Sequence, residues 1–322
     1  MKMKKIFSIL SYLLSSMIVF SSCHREDIPC NDPETGYQPI MFSAVNALLE
    51  TKSEAPAGFK VWASRTHEVN SDSQTDYNIF GVTGTNVQKS GSGTSVTWTY
   101  TPVRYWQSGP YNFFAVTPAT VAEGELTSDG LELDFGTNGW DITSNQTDLL
   151  FATSTVSNDV VPLKFDHLLT KITFSAKKAT TAPIDITSIK ISGHHKVAEG
   201  VILSGNNTEW DLKDDLAVGH EIISSTPITL SGTASKITSD VLVFPEDCAL
   251  TVEVTIRHNK IGEAYQKTAV IDGTGWLSGK RHDYIINVTP GSIVISSAQV
   301  KDWVTDRNEN NENDDDITHD FE

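Results

Sequence analysis

Leu250-Thr251-Val252-Glu253-Val254-Thr255-Ile256-Arg257 alternates apolar and polar side chains without a break. Successive side chains of a strand point to opposite faces, so Leu250, Val252, Val254 and Ile256 make one buried face while the polar four meet water. A helix would scatter the same apolar residues around its axis. The stretch is a half-buried β-strand, and the rest of the chain is read against it.

Towards the C-terminus, residues 265–271 extend the pattern, and the turn Asp272-Gly273-Thr274-Gly275 leads to Tyr284, Ile286 and Val288 on one strand face. Residues 293–300 are expected as a last strand, with Trp303 closing it. Towards the N-terminus, strands are expected over 240–244, 221–230, 197–203 and 184–191. Leu163, Phe165, Leu169, Ile172 and Phe174 open this half, which is rich in Ile, Val and Leu.

Before Ser157-Asn158-Asp159 the strands become aromatic. Leu131, Leu133 and Phe135 alternate with Glu132 and Asp134, and residues 148–152 form a further strand. Val96, Trp98 and Tyr100 alternate with Thr97, Thr99 and Thr101 until Pro102. Tyr105-Trp106 leads through Ser108-Gly109-Pro110 into residues 111–116, which reads as two strands and a tight connection. Residues 59–63 form another strand and 70–78 a polar loop. Ser90-Gly91-Ser92-Gly93 reads as a turn, because no helix follows it to cradle a phosphate. Many short strands, Gly-rich turns and no long helical period predict an all-β fold of two tandem sandwiches, divided near residue 160.

The ends read differently. Lys2, Lys4 and Lys5 precede an apolar run over 6–20, which closes in Phe20-Ser21-Ser22-Cys23. That is the pattern of an export signal, short of the roughly 20 residues a membrane-spanning helix needs. Phe20-Ser21-Ser22-Cys23 resembles the lipobox of bacterial lipoproteins, which implies loss of residues 1–22 and acylation of Cys23. Residues 24–39 are a polar tether. In 40–52 the apolar residues Met41, Phe42, Ala44, Val45, Ala47, Leu48 and Leu49 fit a strand running into a helical turn. Residues 306–322 are rich in Asn, Asp and Glu and cannot repay the entropy of ordering. Asp306, Asn308 and Asn310 have the early spacing of a calcium loop but lack its turn Gly and terminal Glu.

Loss of residues 1–22 would leave 300, a length suited to two domains, and would move the formal charge from −17 to −20. Such a chain is repelled by nucleic acid and by anionic headgroups, which removes both as partners. Cys30 and Cys248 are too few to staple a fold, and their spacing carries no pairing signal.

Nucleophilic, metal and cofactor chemistry need convergent groups at defined spacings, and none is recognisable here. The expectation is therefore a non-enzyme with no cofactor. His194 and His195 are adjacent on a strand and face opposite ways, so they cannot share an ion. His167 lies among apolar residues and reads as a core histidine, and Asp214-Asp215 as a turn. Trp98, Trp106, Trp140, Trp210, Trp276 and Trp303 suit either sandwich cores or platforms for sugar rings.

Several stretches, in order, resemble the Bacteroidales fimbrillins, the FimA- and Mfa-like subunits of type V pili. They are Ser22-Cys23; Ile40-Met41-Phe42-Ser43-Ala44 running to Thr51-Lys52-Ser53; Tyr100-Thr101-Pro102-Val103-Arg104-Tyr105-Trp106; and Tyr111-Asn112-Phe113-Phe114-Ala115. Asp148-Leu149-Leu150-Phe151-Ala152, Leu163-Lys164-Phe165-Asp166-His167-Leu168-Leu169 with Ile172, and Trp276 with Gly279 and Tyr284 continue the set.

The resemblance implies two transthyretin-like sandwiches, 40–159 and 160–305, behind a signal peptide (1–22) and tether (23–39) and before an acidic tail (306–322). It further implies a surface lipoprotein of the outer membrane, anchored at Cys23, whose first strand (40–52) a trypsin-like protease removes by cutting between Lys52 and Ser53. Other fimbrillin subunits would then be the partners, joined by strand addition and supporting adhesion. Lys52 departs from the Arg of the best-known members. The donor segment maps to Ile293, Ile295 and Trp303, or to Val294, Ala298 and Val300. The alternative is an outer-membrane glycan-binding lipoprotein that does not polymerise.

Overall fold

The structure, a computed structural model, describes residues 38–46, 56–91, 96–120, 123–205, 207–223, 227–258 and 264–303. Those residues contain strands and no helix. In chain order the first are β1 (Phe42–Asn46), β2 (Gly58–Val69), β3 (Asp72–Asp76), β4 (Thr85–Ser90), β5 (Thr97–Thr99) and β6 (Tyr111–Thr117). Then come β7 (Glu123–Leu126), β8 (Leu131–Asp134), β9 (Trp140–Asp141), β10 (Leu150–Val156), β11 (Val161–His167) and β12 (Thr170–Lys178). They are followed by β13 (Ile184–Ser192), β14 (Val197–Ser204), β15 (Asn207–Leu212), β16 (His220–Glu221), β17 (Ile228–Thr229) and β18 (Ser235–Lys236). The last are β19 (Val241–Val243), β20 (Leu250–His258), β21 (Ala264–Ile271), β22 (Lys280–Val288), β23 (Ile293–Ile295) and β24 (Gln299–Asp302).

Four sheets result. The first runs β1-β11-β10-β6-β2-β4-β5, with β3 on β2. The second runs β18-β12-β22-β23, with β19 on β12 and β24 on β22; the third runs β16-β13-β20-β21, with β17 on β13. The fourth runs β15-β14-β8-β7, with β9 on β14. The strand quoted at the outset is β20, and its four apolar residues are fully buried as the alternation requires.

Three apolar cores hold the sheets. One joins the second and third sheets through Phe174, Tyr284, Ile286, Ile189, Val252 and Val254. A second fills the first sheet from Phe42, Phe59, Val61, Phe113, Leu163 and Phe165. The third lies between the other face of the first sheet (Trp62, Val116, Phe151) and the fourth sheet (Leu131, Leu133, Val201, Leu203).

Strand pairing crosses residue 160 in two of the sheets. β11 lies in the first sheet, beside β1 and β10, and β8 pairs antiparallel with β14, Leu133 opposite Val201. The Trp62 indole sits where these layers meet and donates to the Gly124 carbonyl at 3.2 Å.

Several local expectations are corrected. The polar stretch 70–78 contains β3, turned back on β2 by Asn70 (φ 53°) and Ser71 (φ 71°) so that Arg65 faces Asp76. All five β3 residues are exposed, so its pairing left no apolar period to read. Tyr105-Trp106 is not a strand; Tyr105 makes only an isolated bridge with Pro39. The stretches 221–230 and 293–300 each hold two short strands rather than one. The short β7, which buries only Leu126, and the half-exposed β15 were not expected at all.

Candidate functional site

The first strand and its seat form the most elaborated feature. β1 lies at one end of the first sheet and pairs with β11 in parallel, Phe42 opposite Val161 and Ala44 opposite Leu163. Ile40, Phe42 and Ala44 point into the core, whereas Met41 and Ser43 face solvent. The strand expected at the front of 40–52 therefore places three pegs along one groove, with Met41 turned outward.

Phe42 is the largest of the three and makes the most ring contacts. Its ring meets Phe59 edge-on at 5.6 Å, Phe113 at 6.0 Å and Tyr100 at 5.6 Å, with Phe80 tilted at 5.8 Å. Such edge-to-face pairs add to simple area burial. Val161, Leu163 and Phe165 of β11 complete the core into which Phe42 fits.

The segment 100–106 closes over the entry to this groove. The Ile40 amide donates to the Arg104 carbonyl at 2.8 Å, and the Trp106 amide donates to Gln38 at 3.0 Å. The Tyr100 hydroxyl donates to the Ile40 carbonyl at 2.8 Å, and burial pushes its pKa up to about 12. On the other side the Val161 amide donates to Met41 at 2.8 Å. The groove therefore recognises backbone along its length and side chains at alternate positions.

Cys23, Lys52 and Ser53 lie outside the described residues, as does Cys30. Cys248 is a free, half-buried thiol, its pKa pushed up to about 11 by burial. Of the C-terminal sets, Ile293 and Trp303 are buried and Ile295 packs on the same core as Ile293, while Val294 and Val300 are exposed. Ala298 packs inward too, against the alternation. The whole segment is seated on its own chain, β23 and β24 both pairing with β22.

Contrary to the expectation from sequence, His194 and His195 lie not on a strand but in the connection between β13 and β14, where their rings still take different surroundings. His194 is fully buried, its Nδ1 2.9 Å from the His195 carbonyl and its Nε2 3.4 Å from His220 Nδ1, and burial pushes its pKa down to about 4. His195 turns the other way, its Nδ1 2.6 Å from Glu246 Oε2. His167 is buried, with Nδ1 2.7 Å from Asp148 Oδ2. Among the described residues no group of three or more acidic, His or Cys side chains could hold a metal ion. The tryptophans offer no sugar platform: five are buried, and Trp98 and Trp210 are half-buried against Phe59 and Phe244.

Comparison with known proteins agrees with the layout. A family model described as fimbrillin-like matches residues 47–303. No curated protein matches the sequence. A fimbrial protein from Bacteroides vulgatus superposes with TM-score 0.58 at 17% identity, over 83% of this chain and 99% of that one. A candidate cell adhesion protein from Bacteroides ovatus gives TM-score 0.52 at 16% identity, over 84% of this chain and 99% of its own. At these identities the likeness is one of fold.

Proposed function

Because the chain belongs to the fimbrillin-like family, we propose that it is a surface subunit of a type V fimbria, assembled by strand addition and supporting adhesion. In this reading Cys23 carries the acyl anchor to the outer membrane. A trypsin-like protease cuts after Lys52, leaving Ser53 as the new N-terminus. The strand 40–52 then leaves, and an extended segment of the next subunit takes its place.

The observation that supports this most is the seat of β1. It is a terminal strand held by three alternating apolar side chains and by main-chain hydrogen bonds, which is the chemistry of strand addition. Loss of β1 would bare Phe59, Phe80, Phe113 and Leu163, an apolar surface with a strong drive to be covered again. The supply of a replacement is constrained, because the C-terminal candidate must first leave β22.

Limited tryptic cleavage of the purified chain tests the reading. Cleavage after Lys52 should produce ladders that resist SDS, and Lys52→Ala should remain monomeric under the same treatment. A cut chain that stays monomeric would refute assembly by this route.

A further inference from the structure

A cleft of about 240 Å³ opens at the far side of the first sheet from the β1 groove, where the third core reaches the surface. Its walls come from β2, β3 and β6 on one side, and from the β7–β8 and β14–β15 turns on the other. Four separate segments therefore converge on one small volume.

The lining is almost entirely uncharged and polar. Ser64, Tyr77, Asn112 and Ser204 present hydroxyl and amide groups, beside the half-buried ring of Phe114 and the carboxylate of Asp129. No Lys or Arg lines it. An anionic ligand would meet no counter-charge, only Asp129 within a chain of net charge −17.

Several of these groups lack protein partners. Ser64 is 95% buried at only 5% exposure, lines the cleft, and its hydroxyl has no partner among the described residues. The Tyr77 hydroxyl is likewise free, and the Asn112 amide uses only its oxygen, accepting from Thr155 at 2.8 Å. These groups line the cleft with unused hydrogen-bonding capacity, which an outside partner rich in hydroxyls can take up.

We propose that this cleft binds a neutral carbohydrate of one or two sugar units. Hydroxyls of the ligand would meet Ser64, Tyr77, Asn112 and Asp129, polar groups suited to a neutral polyol. The volume falls below the roughly 300 Å³ at which pockets for drug-sized ligands begin, which limits occupancy to a terminal unit or pair. The site is independent of fimbrial assembly, lying away from β1 and the C-terminal strands.

Saturation-transfer NMR on the uncut chain, with lactose, cellobiose, diacetylchitobiose and sialyllactose as probes, tests it. At least one neutral disaccharide should bind saturably and sialyllactose should not bind better than lactose. Asp129→Ala and Asn112→Ala, both at exposed residues, should each weaken binding tenfold or more without moving the melting temperature, and Tyr77→Phe should weaken it less. Absence of saturable binding to every neutral probe, undiminished binding in the Asp129 and Asn112 variants, or preference for the sialylated probe would overturn the proposal.

Discussion

The Trp303 indole lies flat on the His167 imidazole, 3.8 Å between ring centroids and 9° between planes. Asp148 fixes the imidazole from its edge at 2.7 Å, and Lys171 Nζ stands 5.1 Å over the indole. The contact ties the last described residue, Trp303, to the end of β11, the strand that also pairs with β1. Trp303→Ala should therefore destabilise by about 3–5 kcal/mol, read as a lowered denaturant midpoint. Trp303→Phe should retain most of that stability, because the indole N–H is buried without a partner and its loss removes no hydrogen bond.

Phe42 and Met41 are neighbours with opposite fates. Phe42 fills the aromatic core, so Phe42→Ala should cost about 3–5 kcal/mol in the uncut chain. Met41 faces solvent, and Met41→Ala should stay within about 0.5 kcal/mol of the parent. Equal effects of the two substitutions on the unfolding midpoint would contradict the orientation of β1.

Gly84 is held to glycine by Trp62. A Cβ there would stand 2.5 Å from Trp62 Cε2, at a φ of +74° that side chains rarely adopt. Gly81 also has a positive φ, +85°, but open space around it. Gly81→Ala should cost only the backbone strain, about 1–2 kcal/mol. Gly84→Ala should cost about 1–3 kcal/mol more through the clash, with a change in tryptophan fluorescence that Gly81→Ala lacks.

Acid should weaken the second half of the fold through His194. Burial holds its folded pKa near 4, far below an ordinary histidine, so between about pH 6.5 and 4 the unfolded chain binds the extra proton. Stability is then full above pH 6.5 and falls as pH drops towards 4. The facing His220 and the buried His282, both also lowered by burial, act in the same direction. Melting temperature should decline across this window, and His194→Gln should flatten the decline.

Strands with one apolar face were legible because burial imposes a period of two: β20, β22 and β11 follow from their residues alone. β3 and β7 were not, since strands held mainly by backbone pairing leave no such trace. A strand at the front of 40–52 could be read from its apolar residues, whereas which of them face inward, and the clamp by Tyr100 and Arg104, could not. That clamp depends on main-chain hydrogen bonds across sixty-odd residues, and no local pattern encodes them. The polar cleft was invisible for the same reason, its lining drawn from four distant segments. The tryptophans form no exposed platform, since the layers bury or half-bury all of them.

The central claim is that β1 occupies its groove only until processing. Mass spectrometry of the N-terminus of this chain, in fimbriae sheared from the cell surface, tests it most directly. The account predicts chains that begin at Ser53 and lack residues 40–52. Assembled chains that still begin at an acylated Cys23 and retain Phe42 would contradict it.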